Sequence, residues 1–158
     1  MDIREYKKNT VIFRQGDAGD CMYDIQYGRV AIYDDYGGPN QQKIAELSVN
    51  QIFGEMGLLD DAPRSATAVA LDDGTVLNVI KEDEFYEYFE KQPTKVLLLM
   101  QQMSNRLRRT TKDYLEGCRA VYEAVEAEKA GKVKSEQTKS VLKRLAELYT
   151  GFNFYAHN

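Results

Sequence analysis

The sequence offers few side chains for metal or disulfide chemistry. Among 158 residues there are two cysteines and one histidine. Cys21 and Cys118 have no metal-ligand spacing, and they read as reduced thiols of a cytosolic protein. His157 lies beside the C-terminus and reads as exposed and inert. A metal-dependent jelly-roll enzyme needs a set of histidine ligands, which a single terminal His cannot supply. No apolar run approaches the roughly 20 residues that cross a bilayer. The start, Met1-Asp2-Ile3-Arg4-Glu5, has charge but no apolar core of a signal peptide, so a cytoplasmic location is expected. A basic excess is also missing. The formal net charge is −4, which argues against a nucleic-acid binder and makes direct DNA binding an unfavoured reading.

What is present is a composition 43% hydrophobic, enough for one well-packed domain with an appendage. Residues 1–9 are charged and read as a short helical or irregular lead-in. Thr10 to Arg14 is a strand candidate, followed by a turn cluster over Gly16 to Asp20. Cys21 to Tyr27 alternates with period 2, with Met22, Asp24 and Gln26 on one side and Cys21, Tyr23, Ile25 and Tyr27 on the other. Val30 to Tyr33 follows a turn at Gly28-Arg29. A loop from Asp34 to Asn40 separates it from another β segment, Gln42 to Leu47. Ala66 to Leu71 and Thr75 to Ile80 flank Asp72-Asp73-Gly74, a hairpin signal. Many short strands between Gly and Asp turns indicate a mainly β sandwich or barrel.

Two helical regions come after the strands. Glu82 to Lys91 sets Phe85, Tyr88 and Phe89 on one face. Pro93 is expected to end it, and Thr94 to cap the next helix. From there Leu97, Met100, Ser104, Leu107, Thr111, Tyr114, Cys118, Val121 and Val125 recur at steps of three and four, the seam of a left-handed coiled coil. The ordinary alternative is a helix packed on its own sheet. Arg106, Arg108, Arg109, Lys112 and Arg119 form a basic stripe on the same helix, which reads as a solvated face. Residues 126–139 read as a helix end and solvated linker. Ser140 to Tyr149 has the spacing of a short amphipathic helix. The expected division is therefore 1–125 and 126–158.

One stretch stands apart: Phe53-Gly54-Glu55-Met56-Gly57-Leu58-Leu59-Asp60-Asp61-Ala62-Pro63-Arg64-Ser65-Ala66-Thr67-Ala68. A Gly turn into a short helix exposes backbone N–H groups that suit an anion. Arg64 can close over the anion with two parallel hydrogen bonds, and Ser65 adds a hydroxyl donor. Glu55 is an acceptor for a hydroxyl proton. The residues describe a pocket for a group both anionic and hydroxylated, such as a sugar phosphate.

This stretch, FGEMGLLDDAPRSATA, resembles the phosphate-binding cassette of cyclic-nucleotide-binding domains, roughly F-G-E-x-[AG]-L, then P-R-[SAT]-A-[T] after a short gap. Gly16-Asp17, Met22-Tyr23-Asp24-Ile25 and Gly28 resemble the first half of that family's double-stranded β-helix, or jelly roll, so the likeness runs over residues 10–125. The resemblance implies a non-catalytic sensor of Crp/Fnr type without the DNA-binding domain. The cyclic phosphate would sit on the backbone from Gly54 through Met56 to Gly57, under Arg64 and Ser65, while Glu55 takes the ribose 2′-OH. In the transcription-factor members a Thr-Ser pair on the long helix reaches the purine, and Thr110 and Thr111 match it here. Arg106 falls where the family often has an Arg that pairs with the cassette Glu. The resemblance also implies a homodimer through helix 94–126. It names cyclic AMP before cyclic GMP as the ligand, and no metal or other cofactor.

Only about 30 residues follow the long helix, too few for the winged helix-turn-helix of the transcription-factor members. The expected output is therefore another chain, a separate effector. A natural stand-alone sensor and a piece of a longer protein read alike. Two rivals remain: an interaction module of the same fold that has lost its ligand, and a sensor of another anionic effector.

Overall fold

The computed structural model describes residues 2–129. The helix expected over 140–149 and the end containing His157 lie outside them. The chain divides into two compact units, Met1–Gln102 and Met103–Asn158.

The first unit holds eight strands: β1 (Asp2–Tyr6), β2 (Val11–Phe13), β3 (Cys21–Tyr27), β4 (Val30–Asp34), β5 (Gln42–Leu47), β6 (Ile52–Phe53), β7 (Thr67–Ala70) and β8 (Thr75–Lys81). They form two four-stranded sheets, β1-β8-β3-β6 and β2-β7-β4-β5, and every pair is antiparallel. This is the expected jelly roll. Cys21, Tyr23, Ile25, Phe53, Leu77 and Val79 of one sheet pack with Val30, Leu47 and Ala68 of the other. The outer face of the first sheet is also covered. There Met22, Ile52 and Ile80 pack with Leu58 of α1 (Glu55–Leu59), Phe85, Tyr88 and Phe89 of α2 (Phe85–Lys91), and Leu99 of α3 (Pro93–Lys129). β3 is thus buried on both faces over Cys21 to Ile25, with Asp24 as its one charged residue, because the period-2 alternation separates two cores rather than core from solvent.

Three local expectations change. Residues 2–6 are a strand, not a helical or irregular lead-in, and they pair with β8 over five positions from Asp2↔Val79 to Tyr6↔Thr75. An edge strand with its outward residues in water needs no apolar alternation, and its charges protect the open edge. Second, Asp72-Asp73-Gly74 does not close a hairpin. β7 lies in one sheet and β8 in the other, so this turn carries the chain between them. Arg29 binds the Asp72 carboxylate with Nε (3.0 Å) and Nη2 (2.8 Å), and the Thr75 hydroxyl donates to Asp72 O (2.8 Å). A turn signal is local, whereas the partner of a strand is chosen by the surface it can bury.

Third, α2 ends at Lys91, ahead of Pro93 as expected, but Pro93 itself opens α3 and Thr94 lies within the helix instead of capping it. The fixed φ of Pro suits the first helical position, where its missing N–H is no loss. Among the described residues no helix is long and apolar enough to cross a membrane.

In the second unit α3 continues to Lys129. Leu107, Tyr114, Val121 and Val125 are exposed there, as are Thr110, Thr111 and Cys118. The expected seam is therefore an uncovered stripe on this chain.

Candidate functional site

The cassette is built around Gly54. It caps α1 in the left-handed region, φ 74, and a Cβ there would stand 2.8 Å from Arg64 Nη1. Glycine takes this conformation without steric cost, and a larger residue would have to displace the guanidinium. The segment carrying Arg64 is pinned to the β2–β3 loop, with Arg64 N–H donating to Asp17 O (2.8 Å) and Gly16 N–H donating to Arg64 O (2.9 Å). That loop lies directly on α1. A Cβ on Gly19 would come within 2.6 Å of Gly57 Cα and 2.8 Å of Ala62 O. Gly16-Asp17-Ala18-Gly19 is therefore the lid of the turn, not merely a connection.

Arg64 is 3% exposed, which is unusual for a guanidinium. Its Nη1 donates to Gly54 O (2.7 Å) and its Nη2 to the Cys21 sulfur (3.4 Å). Its Cζ lies 4.5 Å from the centroid of the Phe13 ring and 5.8 Å from that of Tyr23. Phe13, Tyr23 and Phe53 contact one another with centroids 5.1–5.9 Å apart and form an aromatic floor beneath it. Arg64 Nη2 lies 3.9 Å from Asp20 Oδ1, on a side chain 86% exposed. Arg64 Nε is buried without a hydrogen-bond partner. Among the described residues the result is a desolvated cation with one screened, distant carboxylate and an unpartnered Nε. Such a group favours an anion.

Around it, burial pushes the Tyr23 phenol up, with the Cys21 hydrogen bond adding to the shift. The phenol therefore stays neutral and adds no counter-charge to Arg64. Glu55 is the first residue of α1 and is 1% exposed. Gly57 is buried, and Met56, Ser65 and Gly54 are partly covered. At five residues α1 has little macrodipole, so the charge of the site comes from Arg64 and not from the helix.

The structure brings Gly54, Glu55, Met56, Gly57, Arg64 and Ser65 into one turn with its flanking loop. Thr110, Thr111 and Arg106 belong to the second unit, where the two threonines are exposed and Arg106 is partly covered. Sequence reasoning missed Phe13, Cys21, Tyr23 and Gly19. The alternation in β3 placed Cys21 and Tyr23 on one face, but nothing local indicated that this face ends beneath Arg64. A buried polar set also went unnoticed. Asp24 Oδ2 accepts from the Tyr88 hydroxyl (2.8 Å) and Gln26 Nε2 (2.7 Å), and Asp24 Oδ1 accepts from Lys95 Nζ (2.7 Å). Among the described residues no group of three or more His, Cys, Asp or Glu could hold a metal ion.

Known proteins bear on this geometry. The cyclic nucleotide-binding domain profile matches residues 3–92. The cyclic AMP receptor protein of Thermus thermophilus is 39% identical over 80 residues, 51% of this chain and 37% of that protein. A cAMP-dependent protein kinase regulatory subunit of Candida albicans is 40% identical over 73 residues, 46% of this chain and 15% of that protein. The matched stretch thus spans well under half of either relative. The crystal structure of the Thermus thermophilus catabolite activator protein superimposes with a TM-score of 0.62 at 27% identity, covering 92% of this chain and 78% of the other. The family profile covers more than half of the sequence, and it includes the aromatic floor, the Gly-capped turn and Arg64. The chain belongs to the cyclic nucleotide-binding domain family.

Proposed function

We propose that this chain is the sensor domain of a regulatory protein and binds a cyclic nucleotide, with cyclic AMP preferred. The observation that carries the reading is the buried Arg64 guanidinium, stacked on Phe13, held by Gly54 O, and left with an unpartnered Nε. A cyclic phosphate supplies the missing charge. The first-turn N–H groups of α1 and the Ser65 hydroxyl complete its shell, and Glu55 accepts from the ribose 2′-OH. Thr110 and Thr111 keep the role the family resemblance gives them, as hydroxyls offered to a purine edge. The preference for cyclic AMP is supported by the two relatives whose names include it.

The uncovered seam on α3 suits a second copy of this chain, because a parallel coiled coil buries such a stripe along its length. Ligand binding then acts on the dimer and, through it, on a separate effector chain. The effect requires that the ligand bind the two states unequally.

Calorimetric titration with cyclic AMP and cyclic GMP tests the assignment. A charge-assisted bond contributes about 1.5–3 kcal/mol. Arg64→Ala should therefore weaken binding at least tenfold, with the circular dichroism of the native fold retained. Equal binding by wild type and variant removes Arg64 from the site, and no binding by the wild type favours a module that has lost its ligand.

A further inference from the structure

We infer that Gln102 is a positioning residue of the anion site: its side-chain amide takes the place of a neighbouring strand on β6 and fixes the backbone leading into Gly54. The inference rests on the reading of that site as the cyclic-nucleotide site.

β6 has two residues and lies at the edge of its sheet, paired to β3 through Tyr23↔Phe53 and Asp24↔Ile52, while just before it Asn50 N–H donates to Ile25 O (2.9 Å) and Ile25 N–H to Gln51 O (3.1 Å). Ile52 turns its backbone away from β3. Its N–H donates to Gln102 Oε1 (3.3 Å), and its C=O accepts from Gln102 Nε2 (2.6 Å). A primary amide is the one side-chain group that presents a donor and an acceptor as a peptide unit does. Ile52 is 1% exposed, so without Gln102 both backbone groups would be buried and unsatisfied.

Seven residues earlier on the same face of α3, Lys95 Nζ donates to Asp24 Oδ1 (2.7 Å) and Asn50 Oδ1 (3.3 Å). The stretch from Asn50 to Ile52 is therefore gripped at both ends by the first turns of α3, with Leu99 buried between the two contacts. Two residues beyond Ile52, the Gly54 carbonyl orients Arg64. The chain of contacts runs from the Gln102 amide to Ile52, through Phe53 to Gly54, and on to the guanidinium. Every group in it lies in the first unit. If Gln102 lets go, the turn loses its anchor and Arg64 loses its aim, while the sheets keep their pairing.

The test uses the full chain and a double-mutant cycle. Gln102→Met keeps the length of the side chain and removes both hydrogen bonds. Gln102→Glu keeps the acceptor for Ile52 N–H and loses the donor when ionised. Cyclic AMP and cyclic GMP are titrated calorimetrically into wild type, Gln102→Met, Gln102→Glu, Arg64→Ala and Gln102→Met/Arg64→Ala.

Gln102→Met should weaken binding about three- to tenfold, in line with the net strength of one ordinary hydrogen bond. Gln102→Glu should fall between it and wild type. In the Arg64→Ala background Gln102→Met should weaken binding less than it does in wild type, because part of its effect passes through Arg64. Wild-type affinity in Gln102→Met overturns the inference, as does an equal loss in both backgrounds, which marks general destabilisation.

Amide hydrogen exchange of the ligand-free proteins supplies a readout that needs no nucleotide. Residues 52–57 should exchange at least tenfold faster in Gln102→Met, while β4 and β7 remain as in wild type. Unchanged exchange over 52–57 overturns the inference. A wild type that binds neither nucleotide rejects the function proposed above, and the exchange result then decides the role of Gln102 alone.

Discussion

Replacing Asp24 with Ala should destabilise this domain severely, although no surface changes. Asp24 is fully buried and accepts from Lys95 Nζ, the Tyr88 hydroxyl and Gln26 Nε2. Its carboxylate lies 2.7 Å from the Lys95 ammonium, whose side chain is 9% exposed. At an effective dielectric of 20 their gross attraction is about 6 kcal/mol. Desolvating two ions costs several kcal/mol each, so the intact pair contributes little net stability. Removing one member is different, because it strands the other. Asp24→Ala leaves a buried ammonium with only Asn50 Oδ1 as acceptor, and it orphans the Tyr88 hydroxyl. The expected cost is about 3–5 kcal/mol, or on the order of 10 °C in thermal midpoint.

Lys95→Met should cost less, since Asp24 keeps two neutral donors. The triple variant Asp24→Leu/Tyr88→Phe/Lys95→Met, which removes every charge and hydroxyl together, should return to within about 1 kcal/mol of wild type if its side chains pack well. Urea unfolding with linear extrapolation measures all three. The reasoning fails if Asp24→Ala lies within 1 kcal/mol of wild type. It also fails if the triple variant is as unstable as Asp24→Ala, for the network would then stabilise by attraction rather than by avoiding a stranded charge.

Gly19→Ala should lower the thermal midpoint and weaken nucleotide binding together, because its Cβ would press on backbone atoms of Gly57 and Ala62 at 2.6–2.8 Å. Overpacking of this kind costs about 1–3 kcal/mol, and a fluorescence melt with and without nucleotide reads both effects. Arg29→Ala should matter at neutral pH and not in acid. Arg29 pairs with Asp72 and Glu46 at 2.8 Å. Hydrogen bonding to Arg29 is the main cause that lowers the Asp72 carboxyl, while Glu46 is lowered first by Lys43 and then by Arg29. Depressed carboxyls contribute stability that is present above the ordinary carboxylate range and lost as pH falls through the lowered values. The gap in midpoint between wild type and Arg29→Ala should therefore close as pH drops below about 4, and narrow with added salt. Leu107→Lys should convert the proposed dimer to a monomer in sedimentation velocity, since Leu107 is 69% exposed on the seam and has no packing role to lose in this chain. A variant that sediments as wild type does would place the interface elsewhere.

The sequence by itself determined the parts of this protein whose signal is local. The bounds of β3, β4, β5 and β8 follow from residue type, alternation and the glycines and aspartates between them. The apolar face of α2, with Phe85, Tyr88 and Phe89, follows from helical spacing, as does the exposed stripe of α3. The cassette was legible for the same reason, since Gly54, Glu55, Arg64 and Ser65 sit within twelve residues and their chemistry is written in their types. Other features depend on partners far along the chain. The charged segment from Asp2 to Tyr6 is a strand because β8 has an edge to offer it. The Asp-Gly turn at residues 73–74 crosses between sheets because β7 pairs with β2 and β4 whereas β8 pairs with β1 and β3. Gly19 must be glycine because of Gly57, and Asp24 is tolerated in the core because Tyr88 and Lys95 arrive 64 and 71 residues later. The proposed role of Arg64 as an anion clamp comes from its neighbours in sequence. Its desolvation, its floor of Phe13, Tyr23 and Phe53, and its anchoring through Ile52 to Gln102 do not. Burial and orientation are set by contacts between segments distant in sequence, and those contacts exist only once the chain has folded.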